Sequence, residues 1–234
     1  MLRSLLIASI IVQFAIAVVL DCTYTQFSKP LRRAAYVCQA KVIRYDLLEK
    51  VVGVSQNHLS GKTNSDVLGL WIDNQDINFL PKDINLFFEN VKFLYIRKTK
   101  LKTITPFDLE QFPKLLELNC DGNLIETIDG DLFRHTPEIE RIDFDNNKIT
   151  NVGPDIFKHT PLVFTAYFKG NLCIDQKALN AEEVIELVRQ FALKCPPNAE
   201  MFQRYIIQGD EFKNLEDRVK KLEEKCLVRY ENYV

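Results

Sequence analysis

The sequence predicts an α/β solenoid: stacked coils of 24 residues, each giving one short strand to a parallel sheet, with a helix closing the C-terminal end. Three observations predict it. Several columns of residues recur on one 24-residue grid between Val67 and Cys173. Cysteines sit just outside that grid at both ends. A stretch with helical spacing, Ala181 to Leu193, follows the last coil.

From the N-terminus, Arg3 precedes an apolar run from Leu5 to Val19, broken only by Ser9 and Gln13. Ala15 and Ala17 form a small-residue cleavage site, so 1–17 reads as a secretory signal peptide and the mature chain as beginning near Val18. The run is short for a spanning helix, and no second apolar stretch approaches membrane-spanning length, so no membrane span is expected after cleavage. The expected location is extracellular. Hydrophobic residues make up 47% of the chain, ample for a continuous core, and the net charge is −2. That balance gives no electrostatic case for nucleic acid or an anionic membrane.

The repeat is the main signal. One unit is filled by Leu115, Leu118, Cys120, Asn123 and Ile125. One period later come Ile139, Ile142, Phe144, Asn147 and Ile149, and then Val163, Ala166, Phe168, Asn171 and Cys173. Stepping back gives Val91, Leu94, Ile96 and Leu101 with Thr99 in the Asn slot, then Val67, Leu70, Ile72 and Ile77 with Gln75 there. Pro113, Pro137 and Pro161 keep the same spacing, as do Ile104, Ile128 and Val152. A 3.6-residue pattern would not place Asn and Pro on a fixed grid. The apolar columns point inward. The Asn amide can donate to and accept from backbone groups of neighbouring coils that would otherwise be buried unpaired. Thr99 and Gln75 do part of this, so the first two coils are expected to be looser. No coil buries its apolar edge alone, so stability comes from stacking.

These residues resemble extracellular leucine-rich-repeat proteins, of the small secreted kind common in insects. The resemblance covers 67–173 by repeat and both flanks by cysteine placement. It implies a leucine-rich-repeat solenoid, a curved horseshoe with its parallel sheet on the concave face and disulfide-bonded caps. It implies that Cys22 and Cys38 pin an N-terminal cap, although the family's cap usually carries four cysteines. Residues 18–66 then form that cap and a degenerate first coil. Tyr36 to Ile43 is expected to add an edge strand, and Arg44 to Asn64 to be a degenerate coil or a connection. Residues 174–197 form the C-terminal cap, where a Cys173–Cys195 bridge would clamp the helix over the last coil. Its inward face is read as Val184, Ile185, Val188 and Ala192. Cys120 occupies an inward slot and is expected to be buried and reduced.

Residues 198–234 read as a helical tail and a possible short coiled coil. Met201, Tyr205, Phe212, Leu215, Val219, Leu222 and Cys226 follow a 3-4 pattern. Folding back onto the solenoid is the alternative, and Gly209 weakens a continuous helix by about 1 kcal/mol. Cys226 has no partner by position, and an odd cysteine in a secreted chain suggests interchain pairing or a free thiol. A homo- or heterodimer through 201–226 follows from the first reading, and with it a structural or assembly role.

Function is expected on the concave face. One column reads Trp71, Tyr95, Asn119, Asp143 and Tyr167; the next Asp73, Arg97, Asp121, Asp145 and Lys169; the one before Gly69, Phe93, Glu117, Arg141 and Thr165. The expected binding residues are Trp71, Phe93, Tyr95, Arg97, Glu117, Asp121, Asp143, Asp145 and Tyr167. Aromatics standing outward favour a protein or glycan partner, or they stabilise the sheet by cross-strand contact. The acidic centre suits a basic partner; its carboxylates need not converge on one ion, so no metal or cofactor is expected. His58, His135 and His159 form no acid–base pair, and no nucleophile elbow, phosphate loop or zinc spacing appears. The reading is a secreted, non-catalytic recognition module; the resemblance suggests innate immunity or cell-surface interaction.

Overall fold

In the computed structural model, which describes residues 18–27, 34–44, 49–203 and 206, the 24-residue period becomes the register of a sheet. The strands are β1 (Val18–Phe27), β2 (Ala35–Arg44), β3 (Val51–Val54), β4 (Val67–Asp73) and β5 (Phe93–Arg97). The short helix α1 (Pro106–Leu109) follows, then β6 (Glu117–Asn119), β7 (Thr127–Ile128), β8 (Arg141–Asp143) and β9 (Asn151–Val152). The chain continues through β10 (Thr165–Phe168), β11 (Gln176–Ala178) and α2 (Ala181–Lys194). Nine strands make one sheet in the order β11-β10-β8-β6-β5-β4-β2-β1-β3, and β7 pairs with β9 on the opposite side of the coils. The protein is a leucine-rich-repeat solenoid.

From β4 to β10 the pairing is parallel, and each residue sits opposite the one a period later: Leu70 faces Leu94, then Leu118, Ile142 and Ala166. This column is fully buried, as are Ile72, Ile96, Cys120, Phe144 and Phe168. Each such side chain contributes about 1.5–3 kcal/mol by leaving water. Phe144 stacks on Phe168 at 5.5 Å, and Phe191 of α2 meets Phe168 edge-on at 4.8 Å, so the core runs unbroken into the cap.

The Asn column works as a ladder of amides. Asn123 accepts from the N–H groups of Thr99 (3.0 Å) and Leu101 (3.1 Å), and donates to the carbonyls of Ile96 and Cys120. Asn147 accepts from Ile125 N–H, and Asn171 from Ile149 N–H. The two departures are also satisfied. Gln75 uses its longer arm to accept from Val42 N–H (2.8 Å) and donate to Ala40 carbonyl (2.7 Å). Where Thr99 replaces Asn, its own backbone carbonyl accepts Ile77 N–H at 3.1 Å. Gln75 and Thr99 thus each serve a neighbouring coil in the two coils expected to be looser, while the buried Trp71 Nε1 in the first of them has no hydrogen-bond partner.

Just past each strand the chain turns with a positive φ, again one period apart: Asn74, Lys98, Gly122, Asn146 and Gly170. Asn and Gly tolerate that left-handed conformation; a Lys does so at a cost.

The N-terminal end differs from expectation. β1 alternates buried Val18, Leu20, Cys22 and Tyr24 with more exposed residues and pairs antiparallel with β2. β2 in turn runs parallel to β4. So β2 is an inner strand, and β3, within the stretch expected to be a degenerate coil or a connection, forms the edge. Period-2 alternation at Val18–Tyr24 was the signal for this extra strand. The Cys22–Cys38 and Cys173–Cys195 bridges are both present, with Cα–Cα distances of 5.1 and 5.3 Å. Cys120 is free and buried.

In α2, Asn180 caps the N-terminus through Glu183 N–H (2.9 Å). Its buried residues are Val184, Leu187 and Phe191, whereas Ile185 and Ala192 face out. The i, i+3, i+7 spacing of these larger side chains sets the face and corrects the expected one. Residues 1–17 and most of the tail, Cys226 included, lie outside the described residues.

Candidate functional site: the concave face

The parallel register lines up side chains of successive coils into cross-strand ladders. In the N-terminal part the ladder is apolar. The Trp71 ring stacks on Tyr95 at 5.3 Å with a 5° interplanar angle, and Phe27 from β1 meets it edge-on at 4.4 Å. Phe93 is 1% exposed and Trp71 7%, packed with Ala35, Val37 and Leu116 into a second small core. The expectation that Trp71 and Phe93 stand outward is therefore corrected. The cause is β2, which continues the sheet beyond β4 and brings Ala35 and Val37 onto this face. Gly69 belongs to the same packing: a Cβ there would meet Val37 Cγ1 at 2.2 Å.

At the middle of the face, Tyr95 donates its hydroxyl to Glu117 Oε1 at 2.8 Å, and Arg141 Nε lies 3.4 Å from the same oxygen. That Arg141 contact is an ion pair by distance and lacks hydrogen-bond alignment. Glu117 is buried, which raises its carboxyl pKa above the usual range; the Tyr95 hydrogen bond and Arg141 oppose the rise. Burial, then the Glu117 charge, push the Tyr95 hydroxyl well above an ordinary tyrosine. Glu117 is thus a bound component of the sheet and not part of an open acidic centre. Arg97 forks onto Asp73, with Nε 2.9 Å from Oδ1, and its guanidinium lies 5.5 Å from the Tyr95 ring. Thr23, Gln39, Lys41, Asp73 and Arg97 line a shallow recess beside Trp71.

Toward the C-terminal end the face is polar and half-exposed. Asn119 donates to Asp143 Oδ2 at 3.0 Å, and Asp145 N–H donates to Asp143 Oδ1 at 3.1 Å. Burial, and the nearby Asp145 and Asp121 charges, push Asp143 up to about 6. Asp145 is raised mainly by burial and accepts Lys169 N–H. Asp121 accepts from Asn146 Nδ2 at 2.8 Å. Arg141 lies over the Tyr167 ring at 4.7 Å. Asp121, Asp143, Asp145 and Tyr167 therefore share one half-exposed surface, held by hydrogen bonds to neighbouring coils.

Sequence reasoning missed the Tyr95–Glu117–Arg141 network and the Asn119–Asp143 contact. Both join residues near one period apart on adjacent strands, so donor–acceptor complementarity between successive rungs was the available signal. Elsewhere, His58 stacks on Tyr24 in the N-terminal cap, His135 accepts from Arg134, and His159 lines a convex cleft with Phe107, Arg134 and Met201. The three histidines sit on different parts of the chain. Among the described residues, no group of three His, Cys, Asp or Glu is placed to hold a metal ion, and no helix is long and apolar enough to cross a membrane.

No protein-family model and no curated protein matches the chain. Among solved structures it is similar, over 46% of its length, to a chain of the glycosylated Toll–Spatzle complex of Drosophila (19% identity, TM-score 0.44). Over 52% it is similar to a chain of the TLR13–ssRNA13 complex (17% identity, TM-score 0.43). Over 56% it is similar to a chain of an octameric complex of Latrophilin 3, Unc5D and FLRT2 (18% identity, TM-score 0.38). It spans 14%, 18% and 49% of those chains, respectively.

Proposed function

We propose that the protein is an extracellular, non-catalytic recognition module that binds a protein partner through the central and C-terminal part of its concave face. The observation that carries this reading is the half-exposed surface of Asp121, Asp143, Asp145 and Tyr167, with Arg97 on its N-terminal side. Strands carry Arg97, Asp143 and Tyr167, and hydrogen-bonded turns just past the strands carry Asp121 and Asp145, so these groups are in place before binding, which lowers the ordering cost of an interface. The three aspartates favour a partner that presents Lys or Arg, so association is faster at low salt. The signal peptide read at 1–17 and the two disulfides support an oxidising, extracellular setting. Innate immunity or cell-surface interaction, the settings implied by the resemblance, enter as part of the proposal.

Trp71 and Phe93 act here as packing, so truncating them would test stability before binding. The decisive change is Asp121→Lys with Tyr167→Ala, which reverses a charge and removes a ring without opening either core. Tagged mature protein is used to capture partners from native extracellular fluid. Loss of the captured protein with an unchanged melting temperature supports the reading; undiminished capture overturns it.

A further inference from the structure

The recess beside Trp71, at the N-terminal end of the concave face, collects hydrogen-bond donors that the fold does not use. Thr23 of β1, Gln39 and Lys41 of β2, Asp73 of β4 and Arg97 of β5 line it. The register explains the grouping. Thr23 faces Gln39 across the antiparallel pair, and Gln39 faces Trp71 across the parallel one. Lys41 stands two residues on from Gln39, as Asp73 does from Trp71, so they share one side of the sheet, with Arg97 opposite Asp73.

Thr23, Gln39 and Lys41 are exposed, and none has a side-chain hydrogen bond or ion pair among the described residues. Asp73 accepts from Arg97 with both oxygens, through Nε and Nη2, so its charge is matched and Nη1 of Arg97 keeps its hydrogens. Asp21, opposite Lys41 on β1, accepts from Ser55 Oγ at 3.0 Å and does not line the recess. The lining therefore carries one unmatched charge, the Lys41 ammonium, beside a spare guanidinium nitrogen, a hydroxyl and an amide. The acidic surface of Asp121, Asp143 and Asp145 lies further along the same face. From β2, β6 is three strand steps away and β8 four. At about 4.8 Å per step the two charged regions stand about 14–19 Å apart.

We propose that this recess takes an Asp or Glu side chain of the protein partner, so that the concave face reads an acidic residue at one end and basic residues at the other. The proposal rests on the concave-face reading above and adds to it the partner's orientation. A carboxylate offers only acceptors, and Lys and Arg donors bind it through short, charge-assisted hydrogen bonds. On the partner, the separation corresponds to about four to six residues of a strand or about nine to thirteen of a helix. Docking in the reverse direction sets like charges against each other at both ends and is disfavoured.

The test uses the full mature chain and the protein it captures from native extracellular fluid, purified, with the dissociation constant measured at low and at physiological salt. Two single variants change the recess in opposite directions, Lys41→Glu and Gln39→Lys. The expected result at low salt is binding at least about fivefold weaker for Lys41→Glu and tighter than the parent for Gln39→Lys, with both differences shrinking at physiological salt. A misfolded variant does not bind more tightly, so Gln39→Lys guards against loss of folding in the other. A smaller loss for Lys41→Glu, or no gain for Gln39→Lys, overturns the proposal and leaves the concave-face reading standing, because Asp121→Lys tests that reading separately. Parent protein that captures nothing overturns both.

Discussion

Replacing Asn123 with Ala tests the physical account of the coil directly. The Asn123 side chain is 2% exposed. Its Oδ1 accepts from the backbone N–H groups of Thr99 and Leu101 and from the Thr99 hydroxyl; its Nδ2 donates to the Ile96 and Cys120 carbonyls. Ala leaves two buried N–H groups without a partner. Each orphaned donor costs about 1–3 kcal/mol, so the loss should be about 2–6 kcal/mol. At Asn147 the same change orphans one such donor, the Ile125 N–H, and the loss should be about 1–3 kcal/mol. Against a typical total of about 5–15 kcal/mol, the first loss is the larger fraction of the stability and the second the smaller. The assay is urea denaturation followed by circular dichroism and by fluorescence of Trp71, the single tryptophan. A loss at Asn123 below about 1 kcal/mol, or one no larger than at Asn147, refutes the donor accounting.

Further predictions concern single sites. Lys98 holds a left-handed φ of 55° in a column otherwise filled by Asn and Gly, so Lys98→Gly should raise stability by about 1 kcal/mol in the same titration. Asp143 has a folded-state pKa of about 6 against 3.8 for the free group, so the folded state holds its proton longer. Its contribution is therefore most favourable below about pH 4 and is lost as pH rises to about 6, by at most about 3 kcal/mol and less after solvent screening. Stability measured from pH 3.5 to 7 should show this decline, and Asp143→Asn should flatten it. The Cys120 thiol is buried and its pKa is pushed far up by that burial, so alkylating reagents should modify it only at the rate of unfolding. Fast labelling at Cys120 itself under native conditions, read from its peptide mass and apart from Cys226, would contradict its placement.

The part of the fold on the 24-residue grid was legible because the period and the sheet register are the same quantity. Leu70, Leu94, Leu118 and Ile142 are aligned in the sequence and paired in the sheet. The Asn column was readable for the same reason, since only an amide can serve donors and acceptors on two coils together. The Asn74–Gly170 column of left-handed turns was equally visible and was missed, because Lys98 hides the pattern. Outside the grid, pairing could not be counted off by period. Tyr36 to Ile43 reads as an edge strand, but β1 lies outside the grid, and with it the Phe27 ring that covers Trp71. The C-terminal helix was found, but its inward face was misread by favouring Ile185 over Leu187 and Phe191. Burial of Glu117 depends on Tyr95 and Arg141 closing over it from neighbouring strands, which no single column shows.

A protein partner is proposed to contact the concave face at its polar, half-exposed part. Site-specific photocrosslinking in native extracellular fluid tests it most directly, with a crosslinking side chain placed at Asp145 on the concave face or at Glu126, which is exposed outside the concave columns. One protein is expected to be covalently captured from Asp145 and none from Glu126. Capture from Glu126 with none from Asp145 would contradict it.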